Sequence, residues 1–293
     1  MNHRRKVLIT GANGQVGREL KDSAPQSVEV IAVEHSRLDI TDRKSVLEFI
    51  AQIKPDIIIN AAAYTAVDQA ERDPEAAFIV NRDGAAHLAE GATKIGSRLI
   101  HISTDFVFDG KKSSPYLPED TPNPISVYGA SKLAGECAVN DITEGRALVL
   151  RTAWVYSKYG NNFVNTMLRL FKERDEVRVI SDQVGTPTHA GGLARTLWKL
   201  SDLQEVRGIY HWTDAGVASW YDFAEAILQA ARNNNVSLRT KTIIPINSSD
   251  YPLPAQRPAY SVMDKGKTVP VVGGHEHWGK RLKDACRDIS PLT

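Results

Sequence analysis

Tyr128 and Lys132 stand four residues apart in "YGASK". In a helix that spacing puts both side chains on one face. A free phenol titrates near pH 10, and moving it to neutrality costs about 4 kcal/mol. A neighbouring ammonium favours the phenolate and supplies part of that cost. Such a pair can exchange a proton with a substrate oxygen. Alone, Y-x-x-x-K carries little weight in a chain with nine tyrosines, so its setting decides. Thr104 ends the stretch "RLIHIST". At a strand end its hydroxyl can hydrogen-bond a carbonyl oxygen and turn it toward Tyr128; as a plain strand-end residue it would cap a turn. Ser103 beside it points to the opposite side.

A second group lies upstream. Gly11, Gly14 and Gly17 follow the apolar run "KVLIT" and precede "QVGRELKDSA", which reads as a helix. Small residues between a strand and a helix let backbone amides reach a pyrophosphate at the helix N-terminus. The spacing is G-x-x-G-x-x-G rather than the commoner G-x-G-x-x-G, and a lone triplet also fits a tight turn. Glu34 strengthens the reading. It ends the second apolar run, 23 residues after Gly11, where an acid accepts hydrogen bonds from a ribose diol. Arg37, three residues on, could instead face a 2′-phosphate, so NADH and NADPH both stay open. Asp39 and Ile40 in "LDITD" could cover an adenine. "NAAAY" (60–64) ends the third run with small residues, which fits either a cofactor edge or tight helix–sheet packing.

These groups need a frame, and the chain supplies one. Apolar runs at 6–10, 28–34, 56–63 and 98–104 alternate with helical stripes such as "DRKSVLEFIAQI" and the long "EAAFIVNRDGAAHLAEGATKIG" (75–96), followed by the expected strands "ALVLRTAWVY", "EVRVIS" and "GIYHWT". Runs without polar alternation are strands buried on both faces. The β-α-β-α order predicts an α/β fold: a Rossmann-like doubly wound parallel sheet with a smaller, discontinuous C-terminal lobe. The expected dinucleotide-binding domain is 1–150 plus roughly 163–190 and 215–236. The expected lobe is roughly 151–162, 191–214 and 237–293.

Composition narrows the class. The 293 residues are 42% hydrophobic and 24% charged, with a formal net charge of +1. That balance gives no electrostatic case for nucleic acid or an anionic membrane. No run reaches the roughly 18 apolar residues of a membrane span, and the apolar stretch at the start is too short for a signal peptide. Two cysteines make neither a disulfide framework nor a zinc site, so a reducing cytoplasm is expected. "HEH" (275–277) could hold a metal but reads as a solvated helix start; no metal is expected.

The motifs "GANGQVG", "NAAA", "STDFVF" and "YGASK" resemble an extended short-chain dehydrogenase/reductase. "AAYTAVDQAE", "ISTDFVFDG", "PNPISVYGASKLAGE", "RTAWVY", "GNNF", "DQVGTPT" and "RPAYS" are similar, in unbroken order from about residue 6 to 265, to the dTDP-4-dehydrorhamnose reductase family. The resemblance implies NADPH- or NADH-dependent reduction of the C4 ketone of dTDP-4-dehydro-L-rhamnose, for cell-surface polysaccharide. It implies that Tyr128 protonates the developing alkoxide, that Lys132 holds the nicotinamide ribose and tunes Tyr128, and that Thr104 hydrogen-bonds near both phenol and sugar. Gly14, Gln15 and Val16 would meet the pyrophosphate, with Gly11 and Gly17 in the same cofactor-binding loop, Glu34 would meet the adenine ribose, and Asp39 and Ile40 the adenine. Ala62, Ala63, Tyr64 and Thr65 would line the cofactor. Asp105 and Trp154 would touch the sugar nucleotide, and Arg257 its diphosphate.

Two departures bear on the neighbours. A related sugar dehydratase carries Thr-Asp-Glu at the fourth strand; here the third residue is Phe106, which cannot transfer a proton. Some relatives dimerise through Mg²⁺ held by glutamates, but where one aligns, in "PTHAGGLA", this chain has glycines. A homodimer stays open; that metal site is not expected. Rival readings are a reductase or epimerase of another nucleotide-4-ketosugar, and a nucleotide-binding regulatory subunit of the same fold. The intact Thr104–Tyr128–Lys132 set favours an enzyme.

Overall fold

Six strands form one parallel sheet: β1 (Arg5–Thr10), β2 (Val28–Val33), β3 (Ile57–Asn60), β4 (Arg98–Thr104), β5 (Leu148–Thr152) and β6 (Gly208–His211). Their spatial order is β2-β1-β3-β4-β5-β6. The computed structural model describes residues 4–274 and 276–289; His275 of "HEH" lies outside them. Winding reverses between β1 and β3, which makes a switch point above their carboxyl ends. All strands run the same way, so those ends share one edge: Thr10 pairs with Asn60, and Thr104 with Thr152.

Both faces of the sheet are covered. On one, Leu20, Leu193, Leu197 and Trp198 from helices Gln15–Asp22 and Ala190–Asp202 pack on Val7, Ile9 and Ile59. On the other, Val46, Ile50, Leu88 and Val139 pack on Leu8, Val33 and Ile58. Each fully buried side chain of this kind contributes about 1.5–3 kcal/mol. This two-sided burial is why the strands are apolar throughout.

A second core is built separately. Strands Glu176–Ile180 and Thr242–Ile246 pair in parallel. Helices Phe163–Glu173, Trp220–Asn233 and Trp278–Ile289 supply Phe171, Phe223, Ile227 and Leu282 to the same cluster. These pairings redraw the expected boundaries. Residues 190–202 and 208–211 belong with the main sheet, where β6 pairs with β5 and the helix packs on Leu20. Residues 163–180 and 220–233, expected with the sheet, build the second core.

Two elements depart from their expected form. "ALVLRTAWVY" is not one strand: Trp154 has φ +48, a left-handed value, and breaks the chain between β5 and the short strand Val155–Tyr156. The long helix expected over 75–96 contains a π-helical stretch, Ile79–Asp83, between helices Pro74–Phe78 and Gly84–Ile95. Both departures sit beside the strand-end edge.

Candidate active site

The glycine loop leaves β1 at its carboxyl end. Gly11 has φ +66, and a Cβ there would lie 2.6 Å from the Ala61 backbone. Only glycine lets the loop pass this close to β3. Gly14 is the N-cap of helix Gln15–Asp22 and offers no side-chain cap. The first-turn amides are thereby left open to an anion. Thr10 Oγ1 donates to Asn60 Oδ1 (2.8 Å), which also accepts from the Ala62 amide (3.1 Å). The end of β1 is thus tied to the small-residue edge of β3.

A cavity of about 620 Å³ opens beside this loop, with Gly11, Glu34, Asp39, Ile40, Ala62 and Tyr64 in its wall. Glu34 accepts hydrogen bonds from Asn13 Nδ2 and Ser36 Oγ. Asp39 Oδ1 caps a turn at Thr41. Arg37, the alternative phosphate partner, lies over the Phe49 ring, 5.6 Å from its centroid.

A cavity of about 680 Å³ adjoins, and it unites the two motifs. Gly14, Gln15, Val16, Ala63 and Thr65 line it, together with Thr104, Asp105, Tyr128, Lys132, Trp154 and Arg257. Tyr128 and Lys132 come from helix Val127–Ile142, which starts at Ser126: its Oγ accepts from the Gly129 amide (3.1 Å). A Cβ on Gly129 would lie 2.2 Å from the Phe106 carbonyl oxygen, so glycine lets this helix dock on the end of β4. The Thr104 hydroxyl lies close enough to the Tyr128 phenol to favour its ionised form. Thr104 Oγ1 also accepts from the Phe106 amide (3.2 Å) and donates to Asp105 Oδ1 (3.1 Å).

The electrostatics correct one expectation. Lys132 was expected to draw the phenol of Tyr128 down. Instead burial pushes that phenol up to about 12, and Thr104 opposes the rise. Burial also pulls Lys132 down to about 8, with Glu136 opposing, and its Nζ donates to the Ile102 carbonyl (2.7 Å). Desolvation of the charged form is the largest cause for both groups. Tyr128 is therefore a phenol, and Lys132 an ammonium, at neutral pH.

Beyond Trp154 a third cavity of about 590 Å³ continues into the second core, sharing Phe106, Trp154, Trp220 and Arg257 with the second. Trp154 stacks on Trp220 with ring centroids 3.5 Å apart and planes 5° off parallel. Arg257 at the junction is gripped by Asp68 (2.6 and 3.1 Å).

Sequence reasoning did not single out Asn13, Asp68, Asn81 or Trp220. Asn81, in the π-helical stretch, accepts from the Tyr64 amide (2.8 Å) and donates to Ser131 Oγ (2.9 Å). It ties the cofactor-edge segment to the tyrosine helix. An asparagine inside a helical stripe gives no sign of this; the "DG" after it was the one available irregularity.

Residues 5–290 match the family described as RmlD substrate binding domain. The chain is 44% identical over 268 residues to the dTDP-4-dehydrorhamnose reductase of Burkholderia thailandensis, which covers 88% of this chain and 90% of that one. It is 42% identical over 287 residues to that of Aggregatibacter actinomycetemcomitans, covering 95% and 97%. The chain belongs to the dTDP-4-dehydrorhamnose reductase family. The fold agrees: the crystal structure of the dTDP-4-dehydrorhamnose reductase from Bacillus anthracis in complex with NADP superposes with a TM-score of 0.92 at 36% identity, over 98% of this chain and 100% of that one. No helix among the described residues is long and apolar enough to cross a membrane.

Proposed function

We propose that this protein reduces the C4 ketone of dTDP-4-dehydro-L-rhamnose to dTDP-L-rhamnose with NADPH or NADH, for polysaccharide synthesis. One observation carries the chemistry: a neutral phenol, a threonine hydroxyl and a lysine line the same cavity as the uncapped helix N-terminus. The reduced nicotinamide supplies the hydride. The donor set fits that cofactor: the open amides at Gly14–Val16 suit a pyrophosphate, and Glu34 in the 620 Å³ cavity suits a ribose diol.

The remaining work falls to the chain. As C4 turns from carbonyl to alkoxide, Tyr128 gives its phenolic proton to O4; one O–H bond breaks and one forms. A phenol held near pKa 12 stays protonated at neutral pH, which is the form a reduction needs. Thr104 orients the ketone oxygen and the phenol together. Lys132 holds ribose hydroxyls and offsets the phenolate once the proton has left. Arg257 meets the diphosphate, and the nucleoside extends past the Trp154–Trp220 stack into the 590 Å³ cavity. Asp105 and Trp154 border the sugar. Neither Cys137 nor Cys286 is in a disulfide, in keeping with a reducing cytoplasm as the setting.

The decisive assay mixes the purified protein with NADPH or NADH and a panel of dTDP-4-ketosugars, and follows absorbance of the reduced cofactor. Loss of absorbance with the rhamnose precursor is expected. No loss with any sugar on the panel overturns the reading, and a protein that purifies with retained NAD and turns over none of the reduced form would be an epimerase. Glu34→Ala is expected to weaken NADH more than NADPH; equal effects would show that the ribose contact lies elsewhere.

A further inference from the structure

Asp105 is 1% exposed, yet among the described residues no cation pairs with it, as one normally does with a buried carboxyl. Its Oδ1 takes the Thr104 hydroxyl at 3.1 Å; no donor among the described residues meets its Oδ2 in good hydrogen-bond geometry, although the Ser261 hydroxyl is near enough to favour the carboxylate. The side chain lines the cavity that holds Tyr128. The groups turned toward it are Thr104 and Phe106 of its own segment, Ser261 of the C-terminal segment, and Tyr128 of the tyrosine helix; Lys132 and Arg257 line the same cavity. Carboxyl, threonine hydroxyl and phenol thus follow one another along one cavity wall, the first two joined by a hydrogen bond.

We propose that Asp105 is a positioning residue for the reduction, acting through Thr104 as the proton reservoir that resets Tyr128. This rests on the reading above that Tyr128 is the acid. With Asp105 ionised, Thr104 donates to it, and the Thr104 oxygen is left to accept from the phenol; the phenol's proton then faces away from the ketone. With Asp105 protonated, each of these bonds reverses. Asp105 donates to Thr104, Thr104 donates to Tyr128, and the phenol is free to donate to O4. The transfers balance. Tyr128 O–H passes its proton to O4, Thr104 Oγ1–H to the phenolate oxygen, and the Asp105 carboxyl to Thr104 Oγ1. Asp105 ends as a carboxylate and regains its proton from water. Burial supports this, since it pushes the carboxyl up to about 6, with the Ser261 and Thr104 hydroxyls opposing. Both protonation states are then accessible near neutrality, as a reservoir requires.

The test is the single-turnover rate of NADPH oxidation with dTDP-4-dehydro-L-rhamnose from pH 5 to 9. It compares the wild type with Asp105→Asn, Thr104→Val, Thr104→Ser, Tyr128→Phe and the Asp105→Asn/Thr104→Val double variant. In the wild type and Thr104→Ser the rate should fall as pH rises through about 6. In Asp105→Asn and Thr104→Val that limb should be absent, with rates at pH 6 about 10–100-fold below wild type. The double variant should be no slower than the slower single, because both remove one relay. A limb that persists in Asp105→Asn or Thr104→Val, or penalties that multiply in the double variant, overturns the proposal. If Asp105→Asn does not fold, the contrast of Thr104→Val with Thr104→Ser decides alone. Failure of the underlying reading looks different: Tyr128→Phe would then turn over at the wild-type rate.

Discussion

Two buried carboxyls flank the end of β4, and the protein treats them differently. Glu136 is 3% exposed and Asp105 is 1% exposed, so burial does not separate them. Partners do. Glu136 accepts Arg151 Nε (2.9 Å) and Nη2 (2.7 Å) and the Ser103 hydroxyl, and the Arg151 guanidinium lies over the Phe108 ring. Asp105 has only hydroxyls, Thr104 at 3.1 Å and Ser261 nearby, and no cation among the described residues pairs with it. Ser103 and Thr104 are consecutive on one strand and serve opposite sides of it. Ser103 closes an ion-pair network, and Thr104 leads into the cavity. The closed side holds β4, β5 and the tyrosine helix together. The open side keeps a carboxyl, a hydroxyl and a phenol whose protons can move. A paired charge is fixed in its protonation state; an unpaired one is held ready to change.

The largest effect that tests this contrast is on the open side. Tyr128→Phe should lower kcat about 10²–10⁴-fold and leave the urea midpoint within error of wild type, because the phenol oxygen contributes to chemistry and not to the ion-pair network. An unchanged rate would mean that the open side does not hold the acid.

Next comes the closed side, where stability is the readout. Glu136→Gln leaves the Arg151 guanidinium buried without a counter-charge, which typically costs about 3–5 kcal/mol. Urea unfolding should show that loss. A drop below about 1 kcal/mol would mean that water reaches Arg151 and that the network is not closed.

The two sides also differ in how far the sequence disclosed them. The open side was legible because its chemistry is spaced along the chain: Tyr128 and Lys132 at i and i+4, Thr104 at the end of an apolar run, three glycines between strand and helix. The sheet strands were legible because burial on both faces removes polar alternation, as in Val7–Ile9 and Ile57–Ile59. The closed side was not. Glu136 and Arg151 lie in apolar surroundings 15 residues apart, and nothing local marks two charges as partners. The same holds for the second core, whose strands 176–180 and 242–246 meet across more than sixty residues; short local windows could not assign it. The break at Trp154 was hidden too, because "ALVLRTAWVY" reads as uniformly apolar while one left-handed residue turns the chain.

A third prediction reverses the usual direction. Asp105→Asn should stabilise the protein. The folded-state pKa of about 6 lies above the ordinary carboxyl value of 3.8, so folding disfavours the ionised form. That penalty is full above about pH 6 and vanishes as pH falls through 6 toward 4, where both states become protonated. The gap corresponds to a gain on the order of 3 kcal/mol at pH 8 for the neutral isostere, shrinking to nothing near pH 4. Urea unfolding at the two pH values measures it. A gain of equal size at both would trace to packing and not to charge, and would erase the distinction from Glu136.

The smallest effect belongs to Lys132, which stands between the two sides: Glu136 raises its pKa, while it shares the cavity with Tyr128. Burial holds the ammonium down to about 8, so its charge is present below that pH and lost above it. If Lys132 grips ribose hydroxyls as a cation, dinucleotide affinity should weaken by up to about tenfold between pH 7 and pH 9, the fall in the charged fraction of a group that titrates near 8. Fluorescence titration of NADPH across that range reads it directly. Lys132→Met should bind more weakly at pH 7 and lose the dependence, because no titrating donor remains. A slope that survives in Lys132→Met would assign it to another group and leave the lysine tied to the closed side, with its bond to the Ile102 carbonyl as its whole role.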